Sequence, residues 1–212
     1  MPYRAPPLKC PGAVSTLTVA QGTGWFRIHR TGDKSCEPKY FSSNPFLGGR
    51  FDSLRSASGH VYCAATDCAA IYETVLRDRP FDVDGSPRVI ERSRVALLSI
   101  ATVEVARDLK LVRLFDLEDL AAVGQEDEWL LTCGSDHYAA TRSWAETIRT
   151  WVPDADGIAW KPRFGRPATA IVVYENLVGS PSTFTEQSTV DLYVTARAAL
   201  DRCLDLRAAT VM

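Results

Sequence analysis

The chain of 212 residues has no uninterrupted run of 18 apolar residues; its most apolar stretch, 95–106, is cut by Ser99, Thr102 and Glu104. A membrane-spanning helix is therefore not expected. It also lacks a surplus of either charge. Its 24 basic and 26 acidic side chains leave a formal net charge of −2, which argues against a general nucleic-acid binder. No G-x-x-x-x-G-K-[ST] loop and no G-x-S-x-G elbow occurs, so neither a P-loop nucleotidase nor an α/β-hydrolase is indicated. Gly22-Thr23-Gly24 opens a G-x-G, but Arg27 stands where the third glycine belongs and no strand precedes it, so the dinucleotide-binding fingerprint fails.

Paired cysteines at metal-ligand spacing are equally scarce. The six cysteines, at 10, 36, 63, 68, 133 and 203, are scattered through a chain large enough to build its own core. A disulfide-stapled miniprotein is not indicated, and reduced thiols in a cytoplasm are the default expectation. Cys63 and Cys68 form a C-x4-C with His60 nearby, but no second pair follows, and Cys63 lies in an apolar run where a free thiol acts as a small hydrophobe. Zinc is not expected. Cys133 and His137 lie close together, yet nothing nearby supplies an orienting partner, so both read as structural. The first 22 residues carry Arg4 and Lys9 and then a diluted apolar stretch, with prolines at 2, 6, 7 and 11. That is a poor signal peptide, and it reads as an extended arm.

What is present is a mixture of strand and helix patterns. Residues 25–29, 61–65, 95–106, 111–114, 158–160 and 168–174 read as strands. Residues 68–77 read as a helix capped by Thr66 or Asp67, 117–123 as a short helix capped by Asp116, and 138–151 as a helix ended by Pro153. Residues 179–189 read as a polar linker and 190–206 as an amphipathic helix packing back on the domain. Helices do not alternate regularly with strands, so the expected class is α+β rather than a doubly wound sheet. The divisions are an arm over 1–23, a domain over 24–178, and a linker and C-terminal helix over 179–212. The polar stretch 30–59 is long for an idle loop. From 27 to 55 six basic residues face three acidic ones, and from 104 to 136 nine acidic residues face three basic ones. The first segment could hold an anion such as a diphosphate, or be a solvated loop.

Four pieces stand together: Trp25-Phe26-Arg27-Ile28-His29, Gly48-Gly49-Arg50-Phe51-Asp52, Val61-Tyr62-Cys63-Ala64-Ala65, and Ala69 followed by Glu73-Thr74-Val75. Their order and spacing resemble the RES domain, usually the toxin half of RES–Xre toxin–antitoxin pairs. The similarity continues in Thr141-Arg142-x-Trp144-Ala145 and in Asp156-Gly157-Ile158-Ala159-Trp160, covering roughly 24–176. The family resembles the diphtheria-toxin type of ADP-ribosyltransferase. The resemblance implies one compact domain of that fold, with NAD as substrate and no metal. It implies cleavage of the nicotinamide–ribose bond, by hydrolysis, phosphorolysis or ADP-ribosyl transfer, in the cytoplasm. It also implies an Xre-type antitoxin partner and no direct nucleic-acid or membrane partner, and it is compatible with a homodimer.

On this resemblance Arg27 and Glu73 are the catalytic candidates, and Arg27, Arg50 and Tyr62 the NAD-binding ones. The residue types suit the chemistry. A guanidinium grips phosphate oxygens in a bidentate way. A carboxylate stabilises the ribosyl oxocarbenium formed as neutral nicotinamide leaves, and a tyrosine ring offers a face to the cationic pyridinium. Taken singly, Glu73 could instead pair with Arg77 at i,i+4, Arg50 could be a turn residue and Tyr62 a core residue. One departure stands out. Pro162 occupies the family's serine position and offers neither hydroxyl nor N–H. The role then falls to Ser42, Ser43 or another hydroxyl, or the domain binds a nucleotide or a partner protein without catalysis.

Overall fold

A computed structural model describes residues 5–35, 48–54, 59–77, 79, 81, 85–165, 167–175 and 183–212. Ten strands are described: β1 Thr16–Val19, β2 Gly24–Arg30, β3 His60–Ala64, β4 Arg88–Ile90, β5 Leu98–Val105, β6 Leu109–Leu114, β7 Gly157–Trp160, β8 Ala170–Tyr174, β9 Phe184–Asp191 and β10 Ala209–Val211. Six α-helices accompany them: α1 Asp67–Ile71, α2 Arg92–Val95, α3 Leu117–Ala122, α4 Trp129–Thr132, α5 Tyr138–Trp151 and α6 Arg197–Asp205. The class is α+β. Eight strands form one sheet in the order β1-β6-β7-β8-β3-β2-β5-β9, and β10 pairs with β4 separately. Within the large sheet only β6 and β7 run parallel. No helix among the described residues is long and apolar enough to cross a membrane.

Strand alternation sorts the core into two layers. Phe26, Ile28, Tyr62, Ala64, Trp160, Ala170 and Val172 point to the face that α1, α5 and α6 cover. Trp25, Val61, Cys63, Ala101, Val103, Ala159 and Ile171 point to the other face. That second core also takes Val19 from β1 and Phe184 from β9, strands at opposite edges of the sheet. The sheet therefore bends round until its two edges share one apolar interior, as twisted sheets of this size do.

Two segments differ from the sequence reading. Residues 16–19 of the expected arm form the edge strand β1, antiparallel to β6. The expected linker holds most of β9, and the C-terminal helix is confined to α6. All but the two ends of β9 are exposed. A strand with solvent on both faces needs no apolar alternation, so period-2 patterning could not reveal it. The helix from 67 is capped by Thr66, whose hydroxyl accepts from Ala69 N–H at 3.2 Å. It continues through Tyr72–Leu76 with a wider π-type turn, an irregularity that often marks functional sites.

The thiols also depart from expectation. Cys68 on α1 and Cys203 on α6 are joined by a disulfide, with Cα atoms 5.2 Å apart and 135 residues between them. Close packing of the two helices explains it, as Tyr72 donates its hydroxyl proton to Cys203 O at 2.9 Å. Cys63 points to the opposite face and His60 bonds Asp52, so the C-x4-C with His60 does not converge. A crosslink closing so long a loop restricts the unfolded chain. In chemical denaturation the oxidised protein is expected to be about 2–5 kcal/mol more stable than the reduced protein; coincident unfolding curves would contradict the crosslink.

Candidate active site

The loop 48–53 is fixed to the sheet from several sides. Tyr62, from the middle of β3, accepts the Phe51 N–H at 2.8 Å and donates to Asp52 Oδ1 at 2.9 Å. His60 Nε2 lies 3.0 Å from the same carboxylate oxygen. His60 and Tyr62 are two apart on one strand, so both side chains reach the same side. From α5, Thr141 donates to Arg50 O at 2.6 Å and Arg142 Nε to Gly49 O at 3.1 Å. Tyr174 donates to Phe51 O at 2.8 Å. Gly49 is required here, because a Cβ would strike the Asp52 carboxylate and the Tyr62 hydroxyl.

Burial would push the Asp52 carboxyl up, but the hydrogen bond and charge of His60, with the Gly49 N–H and the Tyr62 hydroxyl, hold it at about 2. The Tyr62 phenol is pushed well above its ordinary range, first by burial and then by Asp52. Tyr62 therefore stays protonated and acts as a donor.

Beyond Tyr62 lies a hollow of about 40 Å³ walled by Phe26, Ile28, Tyr62, Ala70, Glu73, Thr74 and Trp160, among others. Glu73 enters from the π-type turn after α1, and Tyr62 from β3. The structure thus brings these two candidates to one hollow. Burial disfavours the Arg77 cation, but Tyr138, Tyr62 and Glu73 together raise its pKa above the ordinary value. Arg77 also donates to Tyr138 OH at 2.6 Å.

Arg27 does not join them. It sits on β2 between Phe26 and Ile28, which face the hollow, so its own side chain takes the opposite face. There it pairs in register with Ala101, and Nη1 donates to Ser35 O at 2.6 Å. The expected meeting of Arg27 and Glu73 in one cleft is corrected by this alternation. The nearby Cys63 thiol, on the same side as Arg27, is pushed by burial to about 12, against a smaller opposing pull from that guanidinium. Arg50 also turns away from the hollow. It is buried, donates to Leu130 O at 3.2 Å and Cys133 O at 2.9 Å, and lies over the Tyr138 ring. Its Nη1 reaches Cys133 Sγ at 3.0 Å, so Cys133 has a cationic neighbour that its sequence surroundings did not reveal.

Pro162 is buried in the turn after β7, its carbonyl accepting from Gly165 N–H at 3.2 Å. Ser42 and Ser43 lie outside the described residues. Residues that sequence reasoning gave no role include Asp52, His60, Arg142 and Trp160. The available signals were Asp52 ending the Gly-Gly-Arg-Phe-Asp segment and His60 standing two before Tyr62. A larger hollow, about 520 Å³, lies on the α6 side of α1 and is walled by Cys68, Tyr72, Leu206 and Arg207 among others. Neither Glu73 nor Tyr62 reaches it.

A family model described as RES domain matches residues 25–194. Among solved structures, the chain is similar to one in the crystal structure of the M. tuberculosis MbcT–MbcA toxin–antitoxin complex. The TM-score is 0.58 at 15% sequence identity, covering 89% of this chain and 92% of that one. No curated protein matches by sequence.

The Asp52 network sets an acid limit. A carboxyl held at about 2 when folded, against an ordinary 3.8, stabilises the fold above about pH 4 and loses that contribution as pH falls towards 2. The expected loss is about 2 kcal/mol. Unfolding free energies of wild type and Asp52→Asn, from urea titrations between pH 5 and pH 2, should converge by that amount; a constant gap would contradict the assignment.

Proposed function

The chain belongs to the RES domain family, and from that premise we propose that it is a toxin that breaks the nicotinamide–ribose bond of NAD, with Glu73 stabilising the ribosyl cation. The observation that carries this reading is the shared hollow. A carboxylate from the turn after α1, the Tyr62 ring from β3 and the Trp160 ring from β7 surround one apolar recess. Small aromatic-lined recesses with one or two polar groups suit flat heterocycles. Both electrons of the C–N bond leave with nicotinamide, which departs neutral, so no general acid is needed at the leaving group. The remaining oxocarbenium is stabilised by the Glu73 charge, directly or through a ribose hydroxyl, until water, phosphate or a protein side chain attacks C1′.

In this proposal Arg27 and Arg50 support the fold rather than grip the diphosphate, since both are buried in bonds to backbone carbonyls away from the recess. The partner is an antitoxin protein. The similar solved chain comes from a toxin–antitoxin complex, and a protein that blocks the recess would silence the reaction.

A second reading, a RES domain that binds without turnover, is favoured by Pro162, which supplies no hydroxyl at the family's serine position. Nicotinamide release from NAD, followed by chromatography, separates the two. The wild type is expected to release it, and Glu73→Gln to slow release about 10²–10³-fold with an unchanged unfolding midpoint. NAD binding without release by the wild type would favour the second reading, and full activity in Glu73→Gln would reject Glu73.

A further inference from the structure

Cys68 and Cys203 are joined in the oxidised protein, but a disulfide is only one of the states open to such a pair. The surroundings bear on the reduced state. The Asp67 carboxylate stands directly before Cys68 at the start of α1, and its ligand atom and the two sulfurs all lie within 4.8 Å of one another. Among the described residues no other group of three or more His, Cys, Asp or Glu side chains converges in this way. The carboxylate is oriented from both sides. Its Oδ1 accepts the Cys68 N–H at 2.7 Å, and its Oδ2 accepts from Arg202 Nη2. The same Nη2 stands 3.9 Å from Cys203 Sγ. Cys203 is buried on α6, whereas Cys68 is half-buried and walls the hollow of about 520 Å³.

We propose that the protein, once its disulfide is reduced, binds a thiophilic divalent cation such as Zn²⁺ through Cys68, Cys203 and Asp67. The site is separate from the recess that holds Glu73, so it stands or falls independently of the NAD reading. A dithiol reductant supplies two electrons and two protons, leaves two thiols on the protein and becomes a disulfide itself. The cation then takes both sulfurs as thiolates, and their two protons go to water. Two thiolates and a carboxylate are a donor set that suits zinc. Tetrahedral Zn–S bonds of about 2.3 Å put two sulfurs about 3.8 Å apart, within reach of side chains whose Cα atoms are 5.2 Å apart. The three anionic ligands exceed the charge of the ion by one. The Arg202 guanidinium offsets that excess and holds Asp67 in place, and water from the adjoining hollow completes the fourth position. A sulfur bonded to its partner has no thiolate to offer, so disulfide and cation exclude each other.

The test uses the full chain in two states, oxidised, and reduced with dithiothreitol that is then removed without air. Each is titrated with Co²⁺, whose thiolate charge-transfer band in the near ultraviolet reports sulfur ligation and whose visible d–d bands report tetrahedral geometry. Zn²⁺ is then added in competition. The reduced protein is expected to take one Co²⁺ per chain with both sets of bands and to surrender it to Zn²⁺. The oxidised protein should show neither set. Cys68→Ser should abolish the saturable bands, and Asp67→Asn should weaken the affinity at least about tenfold. Bound Zn²⁺ should also slow re-formation of the disulfide by oxidised glutathione. Absence of saturable bands in the reduced wild type, or bands of equal strength in the oxidised protein, would overturn the proposal. So would undiminished affinity in Asp67→Asn or an unslowed reoxidation. Bands that persist unchanged in Cys68→Ser would place the ion on Cys10, Cys36, Cys63 or Cys133 and overturn it as well. If Cys68→Ser does not fold, the oxidised wild type, in which the same two sulfurs are blocked without a substitution, still decides.

Discussion

The Tyr62 hydroxyl, held between the Asp52 carboxylate and the Phe51 N–H, ties together the parts of the molecule on which the site depends. On one side it anchors the loop that α5 and β8 also clamp. On the other its ring forms a wall of the recess with Glu73 and Trp160. A buried carboxylate is tolerated only where its lone pairs are met, and here His60, Tyr62 and the Gly49 N–H meet them. Loss of the His60 or Tyr62 side chain would leave part of the buried carboxylate unmet and loosen the loop beside the recess.

A second constraint is the pleat of β2. Neighbouring residues on a strand cannot serve the same face. Phe26 and Ile28 line the recess, and Arg27 is therefore committed to the interior shared by the two sheet edges. There it joins Ser35, whose hydroxyl donates to Glu186 on β9. Arg27 ties the segment after β2 towards the outermost strand through its bond to the Ser35 carbonyl. Arg50 acts similarly, joining its loop to the end of α4 through Leu130 and Cys133.

Much of the architecture was legible in the sequence. The alternation at 25–29, the apolar strand-like run at 61–65, the Thr66 and Asp116 caps, and the helix pattern at 138–151 ahead of Pro153 each reflect a local rule, and each element formed close to its expected bounds. The edge strands were not legible. β9 is polar because solvent meets both its faces, and β1 follows a proline-rich start that masked its short pairing segment. Among the site residues, Tyr62 and Glu73 could be paired because a strand and the helix directly after it bring them close. The facing of Arg27 required the β2–β3–β5 register, which no spacing rule supplies. The Cys68–Cys203 bond depends on α6 returning to α1, a contact across 135 residues with no local trace.

The two faces of the sheet offer the sharpest division between accounts. A crystal structure of the protein soaked with nicotinamide or NAD measures directly which face receives the ring. The account predicts the ring between Phe26, Ile28, Tyr62 and Trp160, with Glu73 beside the ribose carbon. A ring bound instead on the side of Arg27, His29 and Ser35 would contradict it.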